Sequence, residues 1–67
     1  MGRGSLVNIN RATQTELETL TGVGPSVALR IIEHRNQNGN FRRIEDLKNV
    51  SGIGEARFEA IKNRITV

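Results

Sequence analysis

The chain has no cysteine, tryptophan or tyrosine, and only one histidine and one proline. Without cysteine no disulfide can staple the fold, and a single histidine cannot assemble a four-ligand structural zinc site. Compactness must come from packing. The aromatic residues are Phe41 and Phe58, so the core is aliphatic. With both rings expected inside, recognition of single strands by base stacking is disfavoured. No apolar run approaches the roughly 18 residues of a membrane-spanning helix, and Met1–Ser5 lacks the apolar stretch of a signal peptide.

Sixty-seven residues allow one small domain. Such a domain buries only about 60% of its unfolded surface and has a stability of a few to roughly 10 kcal/mol. Ten Lys and Arg against seven Asp and Glu leave a net charge of +3, a lean towards polyanionic partners. Met1-Gly2-Arg3-Gly4-Ser5 reads as a flexible linker or cloning remnant. The folded domain is expected over residues 6–67.

The chain repeats itself. Leu17, Leu20, Gly22, Val23 and Gly24 are echoed thirty residues later by Leu47, Val50, Gly52, Ile53 and Gly54. The same offset relates Glu16 to Asp46, Thr21 to Ser51 and Ile31 to Ile61. Each copy reads as helix, tight turn, helix, with the first unit about 13–37 and the second about 43–65.

Local signals support four main helices. Thr13 with Glu16 has the capping-box spacing, opening a helix of about two turns that ends near Leu20. Pro25 suits the first position of the next helix, where a missing amide proton costs nothing. There Val27, Ala28, Ile31 and Ile32 form one apolar stripe, and Gly39 can end the helix. In the second copy Ile44, Leu47 and Val50 recur every third residue, while Phe58, Ile61 and Ile65 mark the inner face of a last helix. Period-two alternation is confined to Leu6–Asn10, too little for a sheet without partners. The expected fold is all-α, with a short extended N-terminal segment laid against the helices.

Glycine at both ends of Gly22-Val23-Gly24 and Gly52-Ile53-Gly54 permits positive φ or close backbone approach. Val23 and Ile53 are expected to point inward and pin the turns. The amides beside these glycines are left open at the positive end of a helix dipole, where a phosphate oxygen can approach. Backbone contacts of that kind carry no base preference.

The pattern apolar-x-x-apolar-x-Gly-apolar-Gly-x-x-x-Ala, complete from Leu17 to Ala28, resembles the helix-hairpin-helix motif. The tandem resembles the fold in which two such motifs pack about a pseudo-twofold axis. Leu47–Gly54 fits as well, but Phe58 replaces the small residue, so packing there is expected to be rearranged. Val7-Asn8-Ile9-Asn10, Ala12-Thr13, His34-Arg35, Gly39, Phe41 and Glu45-Asp46-Leu47, together with the two turns, narrow the resemblance to the C-terminal domain of the ComEA family of competence DNA receptors. That resemblance covers Leu6 to the end. It implies a module that binds double-stranded DNA without sequence preference during uptake, carried by a membrane-anchored parent outside the cytoplasmic membrane.

Carried over by position, the amides of Gly22, Val23 and Gly24 take one group of phosphates, and those of Gly52, Ile53 and Gly54 another. Ser26 can add a hydroxyl contact or bond its own backbone. Arg30, Arg57 and Lys62 are candidate phosphate contacts on or after the hairpin-led helices, although each alone is more often a solvated charge. Arg42 and Arg43 are read equally as structural. Glu55, where Pro25 stands in the first copy, suits the helix dipole but repels phosphate. The resemblance also implies a monovalent cation at turn carbonyls, which by position belong to Glu18, Leu20 and Val23 and to Lys48, Val50 and Ile53. His34 is expected at the edge of the core and Asp46 as a cap. No paired carboxylates with a defined cleft are evident, and no catalytic role is expected. Similar folds also act as interaction scaffolds, as in the photosystem II extrinsic protein PsbU, or as DNA-binding subdomains of repair enzymes. The basic balance favours DNA.

Overall fold

The computed structural model describes residues 6–67; the Met1–Ser5 stretch, expected as linker or remnant, lies outside them. Along the chain come β1 (Val7–Asn8), α1 (Gln14–Leu17), α2 (Pro25–Asn38), a 3-10 helix (Ile44–Asn49), α3 (Glu55–Ile61), a 3-10 turn (Lys62–Arg64) and β2 (Ile65–Thr66).

Thr13 caps α1 as its spacing predicts. Its hydroxyl accepts from the Glu16 amide at 3.2 Å, and the Glu16 carboxylate accepts from the Thr13 amide at 2.8 Å. The α-helix is nonetheless one turn of four residues rather than two turns. Beyond it the amides of Thr19 and Leu20 reach back three residues, to Glu16 and Leu17 at 3.2 and 3.1 Å. The chain tightens so that Leu20 reaches the core ahead of the glycine turn and Val23 within it. The matching helix of the second copy is 3-10 throughout. Its apolar residues at 44, 47 and 50 have the period of three that this helix aligns on one face. Its cap is Asp46, whose Oδ2 accepts from the amides of Arg42 and Arg43 at 3.1 and 3.2 Å.

Both copies contribute matching positions to one core. Leu17 and Leu47, Leu20 and Val50, Val23 and Ile53, Ala28 and Phe58, and Ile31 and Ile61 are all at most 4% exposed. Each aliphatic side chain so buried contributes about 1.5–3 kcal/mol. Val27 and Ile32 complete the α2 stripe as half-buried neighbours. The departure at Phe58 is absorbed by the core, where its ring is 4% exposed.

The last turn departs from expectation. Ile65 is buried as predicted, but on a strand and not on a helix: α3 ends at Ile61, and β2 pairs in parallel with β1, Val7 opposite Ile65 and Asn8 opposite Thr66. The Ile9 amide extends the pairing to the Thr66 carbonyl at 2.9 Å. The N-terminal alternation therefore does find a partner, at the other end of the chain. Asn10 ties the same segment to the loop after α2, accepting from the Phe41 amide at 2.7 Å and donating to the Phe41 carbonyl at 3.0 Å. Arg35 donates to the Ile9 carbonyl at 2.9 Å. His34 stacks on Phe41, ring centroids 5.1 Å apart.

Candidate nucleic-acid interface

The glycines of each turn do different work. Gly22 and Gly52 stand at φ +79° and +99°, a left-handed conformation that costs an L-residue about 1–2 kcal/mol. The turn itself demands glycine there. Gly24 and Gly54 stand at φ −94° and −101°, as the N-caps of α2 and α3. A Cβ built on either meets nothing within 4 Å. The backbone tolerates a side chain at both, and Ser, Thr or Asp would cap the helix with a hydrogen bond. What glycine provides at these two positions is an uncovered backbone.

The amides divide in the same way. Those of Val23 and Ile53, expected among the phosphate donors, are engaged internally, with the Leu20 carbonyl at 3.1 Å and the Val50 carbonyl at 3.0 Å. A buried side chain draws the central residue of each turn into the core, and its amide closes the turn. Val23 and Ile53 are therefore anchors, as their inward orientation predicts, and not donors. Among the described residues no hydrogen bond engages the amides of Gly22, Gly24, Ser26 and Val27, or of Gly52, Gly54, Glu55, Ala56 and Arg57. Pro25 removes one donor from the first set, whereas Glu55 retains it in the second.

The turns share one face. Gly22 and Gly54 line a single shallow groove with Thr21, Ala56, Arg57 and Ala60. Arginines flank the left-handed glycines crosswise. Arg57, from α3, places Nε 3.3 Å from where a Cβ on Gly22 would stand, while Nη1 of Arg30, from α2, lies 3.5 Å from the same point on Gly52. Val27, the positional counterpart of Arg57, flanks Gly52, its Cγ2 3.4 Å from where a Cβ there would stand. Residue 57 against Gly22 and residue 27 against Gly52 are the contacts that a pseudo-twofold axis relates. Ser26 is exposed at the start of α2.

The remaining charges are partly committed. Glu55 pairs with Lys48 at 3.0 Å, and the Lys48 amine also lies 5.0 Å above the centre of the Phe58 ring. Sequence reasoning saw Glu55 as a repulsion that only Arg57 could offset and missed this partner, because the two residues approach only when the chain reverses through the turn. Lys62 pairs with Glu59 at 2.8 Å rather than standing free. The hydrogen bond to that carboxylate and its charge hold the Lys62 amine above its ordinary pKa.

Two glycine-apolar-glycine turns of equal geometry, each between helices and each met by a residue from the opposite copy, define a tandem helix-hairpin-helix domain. The chain belongs to the helix-hairpin-helix family, whose motif model matches residues 3–66. It is 59% identical over 66 residues to ComE operon protein 1 of Bacillus subtilis, a match spanning 98% of this chain and 32% of that protein. It is 51% identical over 61 residues to endonuclease/exonuclease/phosphatase family domain-containing protein 1 of Danio rerio, spanning 91% of this chain and 11% of that one. The protein of that name in Homo sapiens is 48% identical over the same length and shares. The chain thus spans about a third of the bacterial relative and about a tenth of the vertebrate ones.

Proposed function

We propose that the domain binds double-stranded DNA without sequence preference, holding phosphates on the backbone of its two hairpins and taking no part in catalysis. The observation that carries this reading is the glycine at 24 and 54, where neither φ nor space requires it. A partner that must approach the main chain does require it. Open amides at both turns and flanking arginines supply donors and charge that suit phosphate oxygens. Because these contacts end on phosphates, duplexes of different sequence bind alike.

The similarity to a ComE operon protein, with the resemblance to competence DNA receptors, supports a place in DNA uptake, in a parent anchored so that the domain lies outside the cytoplasmic membrane. Recurrence of the same unit within a vertebrate protein of different name supports a self-contained binding module that accompanies different partners in the chain. For a monovalent cation at the turn carbonyls the two hairpins are equivalent: Leu20 and Val50 each accept one hydrogen bond, from Val23 and Ile53, and each keeps a second lone pair.

Titration of labelled duplexes of several sequences over a salt series tests the reading. With three to five phosphates neutralised, log affinity falls against log salt with a slope of about −2.7 to −4.5. A Gly24→Ala, Gly54→Ala double variant, folded because both sites are open, should bind at least about ten-fold more weakly through lost charge-assisted contacts. Undiminished binding by that variant, or strong dependence on base sequence, refutes the proposal.

A further inference from the structure

Sequence order assigns Arg57 to the second repeat, yet its guanidinium touches both hairpins. Nη1 donates to the Gly52 carbonyl, and Nε flanks Gly22 at 3.3 Å from its Cβ position. A guanidinium is a rigid planar fork, so fixing one nitrogen on one turn orients the rest towards the other. Arg30, approaching Gly52 from the opposite side, makes no hydrogen bond among the described residues and lacks this double attachment.

Two features say why the attachment matters. From Thr19 to Ser26 the first hairpin carries no charged residue of its own, and the equivalent stretch of the second, Asn49 to Ala56, carries only the acidic Glu55. The internal symmetry is also broken at this contact. Val27 packs on Gly52 as a neutral side chain, while its counterpart against Gly22 is an arginine.

We propose that Arg57 is the positioning residue that couples the two hairpins into one DNA surface and lends its charge to the first hairpin, not to the one preceding it in sequence. The inference rests on the DNA-binding reading above. It makes the first hairpin incomplete without the second repeat.

The test follows the amide signals of Gly22, Gly24, Gly52 and Gly54 by NMR as the protein is titrated with a short duplex. In the parent, all four should follow one saturation curve. In Arg57→Ala, Gly22 and Gly24 should saturate about ten-fold later than in the parent, and the overall salt slope should fall by about one. Arg57→Lys retains the charge without the fork, so it should keep the salt slope while the curves of the two hairpins separate. Arg30→Ala should leave the Gly22 and Gly24 curves together with one another. The inference is overturned if Arg57→Ala delays only Gly52 and Gly54, or if Arg57→Lys matches the parent throughout. A parent that shows no DNA-dependent shift at any of the four glycines overturns the underlying DNA reading instead, so the two failures are distinct.

Discussion

Replacing Gly22 or Gly24 by alanine separates what the fold needs from what binding needs. At Gly22 the backbone is at φ +79° and the added methyl would lie 3.3 Å from Arg57 Nε. The left-handed conformation costs about 1–2 kcal/mol. Displacing Arg57 from the Gly52 carbonyl adds about 0.5–1.5 kcal/mol for the lost hydrogen bond. The Gly22→Ala variant should therefore lose roughly 1.5–3.5 kcal/mol, and at about 4–8 °C per kcal/mol its melting temperature should fall by roughly 6–28 °C. At Gly24 φ is −94° and nothing lies within 4 Å of the new methyl. A change of N-cap from glycine to alanine and a stiffer unfolded chain oppose one another, leaving the Gly24→Ala variant within about 1 kcal/mol of the parent. Urea denaturation followed by far-ultraviolet circular dichroism, analysed with a common slope, measures both. DNA titration at a temperature where every variant is folded completes the comparison. Gly24→Ala should retain stability yet lose affinity. Equal destabilisation by the two substitutions, or parental DNA affinity in Gly24→Ala, refutes the division of labour between the glycines.

Three further outcomes are expected. Asn10→Ala removes both hydrogen bonds to Phe41 and strands polar backbone in a partly buried seam, so urea denaturation should show a loss of about 1–3 kcal/mol. Ile65→Ala should cost about 2–4 kcal/mol, and amide exchange should then accelerate at Ile9, whose bond to Thr66 depends on the same strand; retention of parental stability would contradict the burial of Ile65 at 4% exposure. Lys48→Ala leaves the Glu55 carboxylate unopposed beside the second hairpin. DNA affinity at low salt should fall about two- to five-fold, and adding Glu55→Gln should restore it.

Much of this fold is legible along the chain because the determining interactions are short. Thr13 and Glu16 cap each other across three residues, Pro25 suits the start of α2, and the thirty-residue echo identifies the paired core from Leu17 with Leu47 to Ile31 with Ile61. The period of three at Ile44, Leu47 and Val50 suits the inner face of an α-helix or a 3-10 helix alike, and the structure makes this one 3-10. The C-terminal strand is less visible. Ile65 continues the spacing of Phe58 and Ile61 closely enough to pass for helix, and what makes it extended is β1, nearly the whole chain away.

The candidate site divides along the same line. The sequence alone determined which residues form the turns, that Val23 and Ile53 point inward, and that the chain is a duplicated unit with a modest basic excess. Only the tertiary structure decided that the amides of Val23 and Ile53 face their own turns, that Lys48 answers Glu55, and that Arg57 lies beside Gly22 of the other repeat. Periodicity and capping record what a residue does to neighbours within a turn or two. Charge pairing across a reversed chain and contact across a pseudo-twofold axis depend on how two separately legible units meet, and that is set by the shape of the shared core.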